Sequence, residues 1–311
     1  MTEEYISKFE ETLRKGIFAV TAEVSSPDAP SPTTLIKRAK MLAPYCDALN
    51  ITDSPSANPH ISSLAASAIL VDNDMEPIMG ISCRDRNRIA MQADILGANA
   101  LGIKNMLCLT GDGVSSGDHP ESKAVFDLDS TNLISIASAM AKNGEFHSGR
   151  KLESAPKLFL GGATNPFVPP FEFRPHMLLK KHQAGAHFFQ SQYCFEIEPL
   201  KSFMDDVLTL TDGNPPPILV GVGPLPSART ARWMRKNVPG VVIPDTIIDA
   251  IDSKSREDQP KLGLEIAIKL VDSIKQVPGV AGIHIMAYKW EGAVKDIVEG
   301  NSLRQNIIAG R

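Results

Sequence analysis

Short β-rich runs alternate with helix-like stretches along the whole chain, and this alternation limits the fold more than any other feature. The runs occupy residues 17–25, 47–53, 77–83, 106–112, 157–163, 187–194, 218–223 and 282–288. Several are almost continuously apolar, as expected of strands covered on both faces. Between them, apolar residues recur at helical spacing. Ser31-Pro32 opens the first helical stretch, with a capping hydroxyl followed by proline at the first helical position, and Leu35, Ile36, Ala39 and Leu42 mark its buried face. Asn58-Pro59 is expected to open the second in the same way. Ile89, Ile95 and Leu96 belong to a third, and Leu133, Ile134, Ala137 and Met140 to a fourth. Pro175 precedes a fifth, Leu200, Phe203 and Val207 face inward on a sixth, residues 228–236 form a seventh, and Ile266, Leu270 and Ile274 mark an eighth. Eight strand–helix repeats in 311 residues argue for a (β/α)8 barrel, which takes about 250 residues or more. A doubly wound sheet would show a glycine-rich turn after the first strand, and that turn reads EVSSPDAP.

The chain reads as one barrel domain over residues 1–311, with residues 1–16 as an N-terminal helix packed on the barrel through Ile6, Phe9 and Leu13. A net charge of −4, carried by scattered residues, predicts neither nucleic-acid nor anionic-membrane binding. No apolar run reaches the roughly 18 residues of a membrane span, and the charged start of the chain is not a leader, so a cytoplasmic location is expected. Cys46, Cys83, Cys108 and Cys194 form no CxxC pair and read as reduced core residues. The dispersed histidines give no metal-ligand spacing.

In a barrel, chemistry belongs to the carboxyl ends of the strands. Those positions carry Glu23, Thr52-Asp53, the CRDR turn at 83–86, Thr110-Gly111-Asp112 and Ala163-Thr164-Asn165; later strands add Gln190, Gln192, residues 221–224 and Tyr288-Lys289. A bowl with several carboxylates, amides and small residues suits a large, flat, neutral-to-polar ligand. Each residue also has a structural alternative. Glu23 could cap a helix or pair with Arg84, and Asp112 could form an Asx turn. Gln190 and Gln192 share one strand face and could be a polar barrel lining. The CRDRNR run could be an exposed, internally paired loop, His119 a loop residue, and His284 a hydrogen-bonded strand histidine.

Glu23 at the end of the first strand, LTGD at the fourth, SQYCFE at the sixth, VGVGP at the seventh and GVAGIHIMAY at the eighth together resemble methylenetetrahydrofolate reductases. The CRDRN turn and NMLCLTGDGVSSGDHP are similar to the short, catalytic-domain-only bacterial members. The likeness runs from about residue 17 to residue 298. It implies a TIM barrel that reduces 5,10-methylenetetrahydrofolate to 5-methyltetrahydrofolate, with bound FAD and with NADH or NADPH as electron donor. It places the family's acid on Glu23, the aspartate near the flavin on Asp112 and the folate-binding glutamine on Gln192. Flavin contacts fall on Thr52, on Thr110, Gly111 and Asp112, on Ala163 to Asn165, and on Lys180 and Lys181. An electron-donating partner protein and a homo-oligomer are both compatible with such a chain.

The departures bear on the cofactor. Thr52-Asp53-Ser54-Pro55 stands where many members have Thr-Tyr-Gly-Ala. Asn165 replaces the aromatic of a Tyr-Pro-x-x-His segment, and Arg174 and Met177 replace a flavin-linked Asp and Asn. Lys289 and Trp290 occupy the neighbourhood of the folate tail. FMN, or direct hydride transfer from a nicotinamide without flavin, is the alternative these changes leave. Two other readings share the barrel: a folate-dependent methyltransferase, and a folate-binding subunit without catalysis. For the reductase reading, Glu23 protonates N10 and the Asp112 carboxylate stabilises the cation that forms.

Overall fold

A computed structural model describes residues 5–303 as a closed barrel of eight parallel strands in the order β1 to β8. The strands are β1 (Ala19–Val24), β2 (Ala48–Ile51), β3 (Pro77–Ser82), β4 (Asn105–Leu109), β5 (Phe159–Thr164), β6 (Phe188–Tyr193), β7 (Ile218–Val222) and β8 (Val280–Ile285). The helices are α1 (Lys8–Arg14), α2 (Pro32–Leu42), α3 (Ser63–Val71), α4 (Arg88–Ala100), α5 (Ser130–Asn143), α6 (Arg174–Ala184), α7 (Ile197–Leu210), α8 (Ala228–Asn237), α9 (Asp245–Asp252), α10 (Gln259–Ile274) and α11 (Gly292–Gly300). Pairing of Thr21 with His284 and of Ala22 with Ile285 closes the cylinder between β1 and β8. The expectation for residues 1–4 lies outside the described residues.

Two helix expectations change. Ser31 does cap α2, accepting from Thr33 N with Pro32 behind it. Asn58, however, does not start α3. Its side-chain oxygen accepts from Asp118 N at 2.9 Å, tying two rim loops together, and Ser62 takes over the cap through Ala65 N. Ile89 lies on the solvent side of α4 and is 75 % exposed, while Ile95 is buried. The eighth apolar stripe is α10, before β8, and the helix that follows β8 is α11, which the apolar stripes did not include. Three helices therefore separate β7 from β8. The excursion has its own small core of Leu225, Ala231, Val241, Ile243, Ile248 and Ile251.

One end of the cylinder is plugged. On α1, Phe9 and Leu13 meet Ala19, Ala48, Ile78, Phe159, Phe188 and Leu219 from the strands. The Phe9 ring stands edge-on to Phe188 and Phe159, at centroid separations of 5.0 and 5.9 Å. Alternation along a strand keeps every second side chain inside. One inward position above Ile78, Phe159 and Leu219 stand Gly80, Gly161 and Gly221; the Phe188 ring packs into the place of a Gly161 side chain, while Gly80 borders open room above the plug. Among the described residues no helix is long and apolar enough to cross a membrane.

Candidate functional site

That room continues into a cavity of about 370 Å³ at the carboxyl ends of the strands. Its wall takes in Glu23, Thr52, Gly80, Leu107, Leu109, Ala163, Asn165, Arg174, Met177, Lys181, Gln192 and Met286. Asn50, Gln190 and His284 line its floor.

The floor is a hydrogen-bonded chain of four side chains. Asn50 Nδ2 donates to Gln190 Oε1 at 2.6 Å, and Gln190 Nε2 donates back to Asn50 Oδ1 at 3.0 Å. Gln190 Nε2 also donates to Thr21 Oγ1 at 3.1 Å, and Thr21 Oγ1 lies 3.0 Å from His284 Nδ1. The Thr21 hydroxyl must place its own proton, and His284 Nδ1 is the acceptor within reach. That assignment leaves the His284 proton on Nε2. Burial pushes His284 down to about 3, so the ring is neutral at physiological pH. Each amide fixes the orientation of the other. This is the polar lining expected for Gln190; Gln192 has different partners.

Glu23 sits one inward position above Thr21. No hydrogen bond or ion pair holds its carboxyl among the described residues. Burial alone pushes its pKa from 4.5 up to about 7. Tyr193, whose hydroxyl donates to Met286 O at 2.8 Å, is raised first by burial and then by the nearby Glu23 charge. Glu23 does not pair with Arg84. Arg84 is only 2 % exposed and grips Asp85 through Nε (2.8 Å) and Nη2 (2.6 Å), with Ser54 O at 3.2 Å. The CRDRNR turn is thus partly buried rather than a solvated loop. Arg86 forms an ion pair with the nearly buried Asp53, whose carboxylate also accepts from Ser82 N at 2.8 Å. Asp53, at the first of the departures from the family pattern, therefore locks the ends of β2 and β3.

The structure brings Glu23, Thr52, Ala163, Asn165, Lys181 and Gln192 together on one cavity wall. Thr110, Gly111, Asp112 and Lys180 are not part of that wall. Thr110 Oγ1 accepts from Ser130 N at 3.1 Å. Gly111 has φ +98°, and a Cβ there would meet Arg84 Cβ at 3.0 Å, so its glycine is required by the turn. Asp112 stands three residues beyond Leu109 on the same rim, and its Oδ2 accepts from Ser56 N at 3.1 Å. It anchors a turn in which Ser54, Ser56 and Ala57 all have positive φ. Lys180 is exposed, whereas Lys181 reaches Ala163 O at 2.7 Å. Burial lowers the Lys181 pKa, with Asp129 opposing.

Sequence reasoning missed Asn50 on the floor, whereas His284 is the hydrogen-bonded strand histidine expected. The signal for Asn50 was strand parity with Thr21 and Gln190. It also missed Arg174 as a wall residue; its guanidinium donates to Val168 O at 3.0 Å and Pro169 O at 2.7 Å beside the cavity. Among the described residues, no group of three His, Cys, Asp or Glu is placed to hold a metal ion.

Comparison with known proteins adds a family. Residues 8–302 match the family model for methylenetetrahydrofolate reductase. The chain is 25 % identical over 244 residues to methylenetetrahydrofolate reductase 1 of Schizosaccharomyces pombe, covering 74 % of this chain and 36 % of that protein. It is 22 % identical over 248 residues to a probable methylenetetrahydrofolate reductase (NADPH) of Caenorhabditis elegans, covering 78 % of this chain and 34 % of that one. The chain thus spans about a third of the length of these relatives. Among solved structures, a Clostridium thermocellum protein that binds two copies of 5-methyl-5,6,7,8-tetrahydrofolic acid superposes with a TM-score of 0.65 at 14 % identity, covering 96 % of this chain and all of that one. The long-chain alkane monooxygenase LadA follows at 0.54 and 12 % identity, with 94 % of this chain and 92 % of that one covered. These two likenesses show the barrel fold. The match to the family model, spanning all eight strands, shows that the chain belongs to the methylenetetrahydrofolate reductase family.

Proposed function

We propose that this chain reduces 5,10-methylenetetrahydrofolate to 5-methyltetrahydrofolate, with Glu23 as the acid. The observation that carries the reading is the Glu23 carboxyl itself: desolvated, without a partner, on a cavity wall, with a pKa near 7. A group with that pKa carries its proton about half the time at neutral pH and can still give it up, which suits general acid catalysis. The substrate's one-carbon unit is closed between N5 and N10. Transfer of the Glu23 proton to N10 breaks the C–N10 bond and leaves a cationic N5 iminium. A hydride with its electron pair then adds to the iminium carbon, and the donor is oxidised. The carboxylate left on Glu23 and the Asp112 carboxylate on the same rim supply negative charge near that cation. Asp112 Oδ2 is held by Ser56 N, and Oδ1 has no hydrogen bond among the described residues.

The residues present fit a flavin nucleotide. Gly80 and Ala163 give a wall without bulky side chains for a flat ring, and Arg174 and Lys181 put two cations at its edge for a phosphate. Thr52, Ala163 and Lys181 would hold the group, and Thr110, Gly111, Asp112 and Lys180 lie on or near the rim beyond it. When bound, a flavin supplies the hydride and is itself reduced by NADH or NADPH. The structural neighbour that binds methyltetrahydrofolate supports a folate ligand in this kind of barrel.

The test is a spectrum of the purified protein, then anaerobic NADH or NADPH, then methylenetetrahydrofolate, for the parent and for Glu23→Gln. The parent should reoxidise on adding the folate, and Glu23→Gln should do so about 10²-fold more slowly while accepting electrons from the nicotinamide at the parent's rate. A colourless protein that oxidises the nicotinamide only with folate present keeps the reaction and removes the flavin. Methyl transfer without nicotinamide oxidation would replace the reductase reading with a methyltransferase.

A further inference from the structure

Two amides on the cavity wall, from different strands, hold the same distant dipeptide. Gln192, near the end of β6, donates Nε2 to Pro239 O at 3.1 Å. Asn165, just beyond β5, donates Nδ2 to Gly240 O at 3.0 Å. The other end of each amide is also taken. Gln192 Oε1 accepts from Tyr193 N at 3.0 Å, and Asn165 Oδ1 accepts from Phe167 N at 3.1 Å.

The dipeptide belongs to the segment 238–244 between α8 and α9. The far side of this segment is fixed as well. Val241 and Ile243 are buried in the small core of the β7–β8 excursion, and Arg235 Nη1 donates to Ile243 O at 3.2 Å. Gly240 has φ +75°, and a Cβ there would fall 2.3 Å from Asn165 Nδ2. Only glycine lets the chain lie against Asn165 in this way. The segment is therefore a strap, anchored behind by apolar packing and in front by two side-chain amides.

A primary amide has two N–H donors and two acceptor lone pairs. Rotating it by 180° exchanges the two ends at almost no cost in shape, so an unrestrained glutamine can present either end to a ligand. Here Pro239 takes one donor and Tyr193 takes one acceptor. One N–H and one lone pair of Gln192 remain, in a fixed order. That pair complements the –NH–C(=O)– edge of a lactam-type heterocycle, a chemistry shared by the pteridine of a folate and the ring of a flavin.

We propose that Asn165 and Gly240 are positioning residues, which seat the Pro239 carbonyl on Gln192 and so set the direction in which Gln192 meets a ligand's lactam edge. Asn165, which stands where the family pattern has an aromatic, gives one N–H to the strap at Gly240 O and has its amide orientation fixed by Phe167 N on Oδ1. The choice of a folate as one source of that edge rests on the proposed function; the strap itself does not.

The experiment titrates 5-methyltetrahydrofolate and, separately, FMN into the parent, Gly240→Ala, Asn165→Asp, Gln192→Ala, and the Gly240→Ala/Gln192→Ala double variant, with a thermal melt of each. Asn165→Asp keeps an acceptor for Phe167 N and loses the donor to Gly240 O. Each single variant should weaken binding of the probe whose edge is read by about five- to tenfold, the scale of one hydrogen bond. The double variant should bind no more weakly than Gln192→Ala alone, because the strap acts through that residue. A purely structural role would instead lower the melting temperature and add to the Gln192→Ala loss, and that outcome overturns the proposal. So does unchanged binding of both probes by Asn165→Asp, which decides the matter if Gly240→Ala does not fold. Loss confined to FMN supports the strap and assigns the edge to the flavin. A parent that binds FMN but no folate sinks the proposed function and leaves the strap to the FMN titration; a parent that binds neither sinks both.

Discussion

Glu23→Gln separates the energetic burden of a buried carboxylate from its chemistry, and the structure gives its size. In the folded chain burial raises the Glu23 pKa from 4.5 to about 7. Between those two values the folded protein holds a proton that the unfolded chain has released. Stability therefore falls as pH rises through this window. The penalty is absent below about pH 4.5 and complete above about pH 7. At about 1.36 kcal/mol per unit it amounts to about 3 kcal/mol. Glutamine has the same shape and no charge to bury, so Glu23→Gln should match the parent at pH 4.5 and exceed it by about 3 kcal/mol at pH 8. For 311 residues, unfolding entropy of roughly 2.1 cal/mol/K per residue turns this into about 5 °C in Tm. The assay is ligand-free unfolding of both proteins across that pH range. Every other titrating group is common to both, so the difference isolates position 23. A difference that stays flat with pH would mean that the carboxylate is solvated in the folded state. The acid role assigned to it would then lose its physical basis.

Asp112→Asn should slow methylenetetrahydrofolate reduction by about tenfold or more while leaving the melt within about 1 kcal/mol of the parent, because an amide still accepts from Ser56 N; equal rates for the two proteins would remove its electrostatic role. Gln190→Leu strands the Asn50 amide on the cavity floor and should lower stability by about 2 kcal/mol in denaturant unfolding. Phe9→Ala empties the plug between Phe159 and Phe188 and should lower it by about 3–5 kcal/mol in the same assay, without changing ligand affinity at the opposite end of the cylinder.

Much of the fold was legible because strand and helix have different periods. Apolar runs such as 77–83 and 218–223 became fully buried strands, and Ser31-Pro32 capped its helix. Asn58-Pro59 misled because an asparagine oxygen serves a distant N–H as readily as a local one, and Asp118 N is what it meets. The helices α9 and α11 went unread because short helices leave few periodic positions, and their cores are assembled from distant segments.

At the site, the sequence by itself placed Glu23, Thr52, Ala163, Asn165 and Gln192 at strand ends, since a barrel forces strand ends onto one rim. It could not say which of them a ligand would find free. That depended on partners far away in the chain: Pro239 on Gln192, Gly240 on Asn165, Ser56 on Asp112, and Asp53 on Arg86. Periodicity and strand ends are properties of neighbouring residues and are written into the chain. Desolvation and hydrogen-bond satisfaction are properties of a packed volume, so only the closed barrel set Glu23 on a largely desolvated cavity wall with no hydrogen-bond partner among the described residues.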